Sequence, residues 1–239
     1  MATEEKNTQA PVCWWVELPE TDYAEALDLQ LAVVNAKTGG RLEVDVILCV
    51  EHPRVFTLGR RGGRENLCVS DAFLTEKGVS VVPTDRGGNI TYHGPGQLVV
   101  YPIINLNRRR LKVVDFVSGL EQAMIRTAGH WSIEAGTDPS NRGVWLDGDK
   151  LGSIGITVRR GVSFHGLALN VNTDMAPFAW INPCGLDQVR MTSFERHLKG
   201  RVPMAEVRRQ MATHLSDVFG IALTTVSLEQ LYAEIELGD

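Results

Sequence analysis

The sequence predicts an α+β fold, with a large mixed or antiparallel sheet flanked by helices. Three observations carry this expectation. Seven segments rich in β-branched and aromatic residues are bounded by Gly, Asp or Asn. Three longer segments repeat apolar residues at helical spacing. Between residues 142 and 172 the strand-like runs are joined by tight-turn pairs, which makes neighbouring strands antiparallel.

In chain order, VCWWVEL (12–18) reads as a first strand and Tyr23 to Lys37 as a first helix. Strands follow at 44–52, 79–84 and 97–106, and a second helix from Val113 to Ala128. Residues 142–148, 150–160 and 163–172 read as a β-meander turning at Asp147-Gly148 and Arg160-Gly161. A third helix spans Pro203 to Phe219, with proline in its first turn and Gly220 just past its end. Ser227 and Gln230 form a capping-box pattern that starts a last, short helix. With no repeat, low-complexity tract or linker, residues 12–239 are expected to form one domain. Residues 1–11 read as a flexible tail, and 203–239 as a βα or αβα extension packed on the main body.

The net charge of -5 argues against a nucleic-acid partner, because phosphate contacts need a concentrated basic surface. Two glutamates and no apolar core in MATEEKNTQAP exclude a secretory or transit pattern. The apolar runs VDVILCV and LVVYPII are too short to span a membrane, so a soluble, cytoplasmic protein is expected. Cys13, Cys49, Cys68 and Cys184 show no paired spacing, which fits a reducing compartment without disulfides or structural zinc. The six histidines form no metal-binding pair, and neither a P-loop, a G-x-G-x-x-G turn nor a G-x-S-x-G elbow is present.

Chemistry is concentrated in three places. The segment TDRGGNITYHGPGQLVVYPI (84–103) sets Arg86, His93 and Gln97 among glycines that let backbone approach a ligand, although a glycine-rich hairpin would look the same. Lys150 opens the apolar strand LGSIGITV; it is either a solvated strand-start lysine or an ammonium directed into a cleft. Cys184 sits in INPCGL, in a Pro-X-Gly turn pattern, and reads as either a small buried hydrophobe or a sulfur within reach of a substrate.

RGGNITYHGPGQ (86–97), KLGSIGITVRRG (150–161), FHGLALNVNTD (164–174) and INPCGL (181–186), in this order and spacing, resemble the lipoyl(octanoyl) transferases over about residues 14–220. Gly152 departs from the alanine common there. The resemblance implies a catalytic domain like those of biotin and lipoate protein ligases. It also implies an enzyme that moves octanoyl from acyl carrier protein to a specific lysine of lipoyl domains, in 2-oxo-acid dehydrogenase complexes and in the glycine cleavage carrier protein. By the same resemblance Cys184 matches the acyl-thioester nucleophile and Lys150 the lysine that tunes it. The matching substrate segments are Arg86, Gly87, Gly88, Asn89, Ile90, Thr91, Tyr92 and His93, then Ser153, Ile154 and Gly155, then Gly166, Leu167 and Ala168.

A thioester donor needs no ATP and no cofactor beyond the phosphopantetheine that carries the octanoyl group. Glycine-rich backbone N–H groups, with His93 or His165, are candidates for holding the oxyanion. Ile154, Leu167 and Leu169 suggest an acyl pocket. Arg108 to Arg110, or Arg60, Arg61 and Arg64, could form the basic face an acidic carrier protein requires, unless they are merely solvated. Three rivals stand beside this reading: an ATP-dependent lipoate ligase, a non-catalytic module binding acyl chains or lipoyl domains, and a cysteine thioesterase.

Overall fold

The computed structural model describes residues 10–182 and 189–236. Two sheets organise them. The large sheet contains β1 (Val12–Glu17), β2 (Asp45–Val50), β6 (Gln97–Ile103), β7 (Gly136–Thr137), β8 (Val144–Leu146), β9 (Asp149–Arg159), β10 (Val162–Asn170) and β11 (Ala222–Thr225). Its spatial order is β11-β1-β2-β6-β10-β9-β8-β7, parallel among the first three strands and antiparallel from β2 onward. The small sheet orders β4 (Ser80–Pro83), β3 (Val55–Leu58) and β5 (Ile90–His93).

Helices cover both faces of the large sheet. On one side α4 (Val113–Gly129) and α6 (Met204–Phe219) bury Phe116, Leu120, Met124, Met211 and Leu215 against Leu98, Val100, Leu167 and Leu169. On the other, α1 (Tyr23–Thr38) and α7 (Leu228–Glu236) bury Val33, Val34 and Leu231 against Val46, Leu48, Val99 and Ala168. Alternate residues of β6 and β10 therefore serve different cores, as the period of two in a strand requires. Three short helices, α2 (Asp71–Glu76), α3 (Leu106–Arg109) and α5 (Phe194–Leu198), complete the set. No helix among the described residues is long and apolar enough to cross a membrane.

The capping box forms in full: Ser227 N donates to Gln230 Oε1 at 2.9 Å, and Gln230 N to Ser227 Oγ at 3.1 Å. At both meander turns the two central residues have positive φ, 51° and 83° at Asp147-Gly148 and 49° and 84° at Arg160-Gly161. That is the left-handed pair a two-residue hairpin needs. Pro203 stands one residue before α6, at its N-cap. The terminal segment does more than pack on the sheet, because β11 pairs in parallel with β1 and so becomes its edge.

Candidate functional site

A cavity opens where the loop after β4 lies across the α1 face of the sheet. Its floor is two adjacent rungs of small side chains. Val99, Ala168 and Ser153 stand opposite one another on β6, β10 and β9, and the next rung pairs Gly166 with Gly155. A Cβ on Gly155 would lie 2.7 Å from Gly87 O, so the missing side chain admits the loop, and Gly87 N then donates to Ile156 O at 3.1 Å. Arg86, Gly87, Gly88, Asn89, Ile90, Thr91, His93, Ser153, Ile154, Gly155, Gly166, Leu167, Ala168 and Lys150 all border this space.

Tyr92 does not. The alternation of β5 sends its ring into a separate apolar cluster, against Phe56 at 5.6 Å and Phe178 at 5.4 Å between centroids. Of the expected acyl pocket, Ile154 and Leu167 border the cavity, facing each other across β9 and β10 and packing against the α4 side core, whereas Leu169 does not border it. Val99, Tyr101 and Ala168 add further apolar surface.

Arg86 is only 7% exposed and acts as a strut: Nε donates to Thr57 Oγ1 at 3.0 Å, an Nη to Thr57 O at 2.6 Å, and the other Nη to Gly87 O at 3.1 Å. His93 stands beside it with Nδ1 2.7 Å from Gln97 Oε1. An amide oxygen only accepts, so Nδ1 carries the proton. Gln97 Nε2 continues to Asn170 Oδ1 at 2.8 Å, and Asn170 Nδ2 to Thr192 O at 3.0 Å. Burial, and then the charges of His52 and Arg86, hold His93 well below the usual imidazole range. His52 is pushed down to about 4, chiefly by burial. Its Nδ1 donates to Thr21 O and its Nε2 accepts from the Tyr101 hydroxyl, both at 2.7 Å. The imidazoles at the site are thus neutral groups at pH 7.

Lys150 is 6% exposed at the second position of β9. Its Nζ donates to Asn141 Oδ1 at 2.9 Å and lies 5.3 Å from the Trp145 ring centroid. Glu121 of α4 fixes the loop that supplies Asn141: its carboxylate accepts from Gly143 N at 2.9 Å and from the Arg142 guanidinium at 3.0 Å. The main chain of Lys150 is tied to the segment after residue 188, with Lys150 N donating to Arg190 O at 2.8 Å and Thr192 N to Lys150 O at 3.0 Å. Val189 and Met191 of that segment line the cavity.

Cys184 lies outside the described residues. The chain reaches it from Asn182, whose N–H donates to Asn66 O at 2.8 Å, and returns at Val189 on the cavity wall. Of the other cysteines, Cys13 and Cys49 are buried in β1 and β2, where burial raises their thiols far above the ordinary range. They are poor nucleophiles there.

Tyr23, Val99, Tyr101, Val189 and Met191 also border the cavity and were not anticipated. Tyr23 starts a helix remote in sequence from every motif; its ring stacks on His93 at 5.7 Å. The two basic runs differ in use. Arg109 Nε pairs with buried Asp45 at 2.8 Å, and Arg108 donates to Glu43 O at 3.0 Å, so both close the sheet end beside Lys37. Arg60 N and Arg61 N instead donate to Arg86 O and Gly88 O, both at 3.0 Å, along the cavity loop. Arg64 pairs with Asp71.

Fold and cavity together define a class. Residues 22–216 match the lipoyl protein ligase A/B catalytic domain. Among solved structures, the bipartite lipoate protein ligase of Thermoplasma acidophilum superimposes with a TM-score of 0.74 at 14% identity, over 95% of this chain and 91% of that one. A lipoate-protein ligase A bound with ATP gives 0.73 at 13% identity, over 96% and 93%. These likenesses establish the fold. In sequence, the octanoyltransferase of Desulfotalea psychrophila is 47% identical over 207 residues, 86% of this chain and 93% of that protein. The octanoyltransferase of Syntrophobacter fumaroxidans is 46% identical over 198 residues, 83% and 86%. The chain belongs to the lipoyl(octanoyl) transferase family and is an acyltransferase of protein lipoylation.

Proposed function

We propose that the protein takes octanoyl from octanoyl-acyl carrier protein, holds it as a thioester on Cys184, and passes it to a specific lysine of lipoyl domains. The observation that carries this is the attachment of the Lys150 main chain to Arg190 and Thr192, just beyond the segment bearing Cys184, on the wall of one cavity. That attachment favours a lysine working with a cysteine over either residue alone.

The first half-reaction exchanges one thioester for another at little net free-energy cost, so no ATP or cofactor is consumed. A thiol of ordinary pKa is only a few per cent ionised at pH 7, and a nearby ammonium raises that fraction. The Cys184 thiolate attacks the thioester carbon. The carbon–sulfur bond to phosphopantetheine breaks, and the leaving sulfur takes a proton from Lys150. In the second half-reaction the acceptor nitrogen attacks the Cys184 thioester, neutral Lys150 receives a proton from that nitrogen, and the Cys184 thiolate departs beside the restored ammonium. Backbone N–H groups of the glycine loop are suited to the oxyanion in both steps. Burying six methylenes over Val99, Tyr101 and Ala168 contributes about 5 kcal/mol, enough to disfavour very short chains. Arg60 and Arg61 suit an acidic carrier protein by their position on the cavity loop; Arg60 lies 3.8 Å from Asp85, as Arg108 lies 3.6 Å from Glu43, whereas Arg109 is committed to buried Asp45 at 2.8 Å.

The test is intact mass. Octanoyl-acyl carrier protein should add one octanoyl group to the enzyme, and a lipoyl domain should then remove it without ATP. Cys184→Ala should abolish the adduct, and Lys150→Ala should slow both halves. Dependence on ATP, or undiminished transfer by Cys184→Ala, would falsify the assignment.

A further inference from the structure

The sheet changes partners beside Lys150. Pairing of β10 with β9 runs from Val162 opposite Arg159 as far as Leu169 opposite Gly152, and goes no further. Lys150 has β8 on one flank, through Trp145. On the other flank, where β10 would have continued, its N–H and C=O bond instead to Arg190 O and Thr192 N, in a parallel bridge centred on Met191. The segment 190–192 is thus wedged between the start of β9 and the end of β10.

Asn170, the last residue of β10, closes that wedge. Its Nδ2 donates to Thr192 O at 3.0 Å, and its Oδ1 accepts from Gln97 Nε2 at 2.8 Å. Gln97 is its partner across the ladder to β6, so one amide pair ties the segment to two strands at once. Main-chain carbonyls fix both amides: Tyr92 O accepts from Gln97 Nε2 at 3.2 Å, and Thr192 O accepts from Asn170 Nδ2. A carbonyl only accepts, so neither amide can turn round. Asn170, Gln97 and Thr192 are all buried, where an acceptor stripped of its donor is destabilising. Removing the Asn170 donor therefore favours a shift of the segment that restores a partner to Thr192 O.

We propose that Asn170 is a positioning residue for acyl transfer: by holding Thr192 it sets where the chain returning from Cys184 meets Lys150. This rests on the acyl-transfer reading above. Asn170 does not border the cavity, so its contribution falls on turnover and not on donor binding.

Asn170→Asp supplies the test, because it is nearly isosteric and can be switched in place. Protonated, the introduced carboxyl donates to Thr192 O and accepts from Gln97 Nε2, as the amide does; ionised, it sets a negative charge against that carbonyl. Burial raises a carboxyl pKa, so one protein samples both states between about pH 6 and 9. In rapid-quench mass spectrometry with octanoyl-acyl carrier protein, its rate of octanoyl-enzyme formation relative to wild type should fall about tenfold or more as pH rises over that range. KM for the donor should stay within about twofold of wild type. Asn170→Leu, which has no donor at any pH, should remain about tenfold or more below wild type throughout. Wild-type rates in Asn170→Asp at every pH, a defect that does not change with pH, or a raised KM with turnover intact overturns the inference, and none of these readouts needs Asn170→Leu to fold. Failure of the wild-type enzyme to acquire octanoyl at all would sink the function reading instead.

Discussion

Gly143 and Lys150 occupy each other's space. A Cβ on Gly143 would fall 2.8 Å from Lys150 Cε and 2.4 Å from Gly152 O, and Gly143 itself has φ of 128°. The absent side chain is therefore what lets the lysine stem pass beneath the Asn141 loop. Gly143→Ala should displace the ammonium and lower octanoyl transfer at least tenfold, with a stability cost of about 1–3 kcal/mol. Asn141→Ala, which leaves the glycine intact, should melt close to wild type while still transferring more slowly. Paired melting curves and rates check both statements.

The floor rung predicts chain-length preference. Ala168 lies between Val99 and Ser153, and a leucine there would fill the space of about three methylenes. Ala168→Leu should reduce kcat/KM for octanoyl donors at least tenfold and for hexanoyl donors far less. Competition between the two donors gives the ratio directly.

Stability should depend on pH through His52. Its folded pKa, about 4, lies below the unfolded value of 6.5, so the unfolded chain binds more protons between them. The sign follows: stability is full above pH 6.5 and declines as pH falls towards 4, by on the order of 3 kcal/mol for this residue. His93 and His165, shifted the same way by burial, add to the decline. Urea titrations at several pH values should show it, and in His52→Gln the slope over this window should be shallower.

Arg109 should matter for folding more than for carrier-protein binding. Its guanidinium is one of two cations on Asp45, whose side chain is 6% exposed; Lys37 is the other, at 2.8 Å. Arg109→Ala should cost about 2 kcal/mol with KM for the carrier protein unchanged. Replacing Arg60 and Arg61 together should raise that KM and leave the melting temperature within a few degrees.

Local signals made much of this molecule readable. The α1, α4 and α6 periodicities, the Ser227 and Gln230 cap and the two glycine turns each depend on residues close in sequence, and each forms. What escaped depends on distant partners. β5 is hidden among glycines because its pairing with β3 is set by Val55 to Leu58, and β11 is short and polar because an edge strand needs little burial. At the site, three motif segments were legible as neighbours through family resemblance. Tyr23 was not, because a helix-start tyrosine carries no mark of the ring it stacks on. The left-handed φ of 55° at His165 was invisible too, since a histidine in an apolar strand predicts ordinary alternation. Arg109 looked like a solvent-facing charge because Asp45, its partner, sits on another strand.

The pairing of Val12 with Ala222 has a consequence for how the chain is made. At roughly 5 to 20 residues per second, the outer edge of β1 waits about 10 to 40 seconds on the ribosome before its neighbour exists. During that interval its unpaired N–H and C=O groups can recruit another nascent strand. Slower translation between β1 and β11 should therefore lengthen this exposure and lower the yield of folded protein.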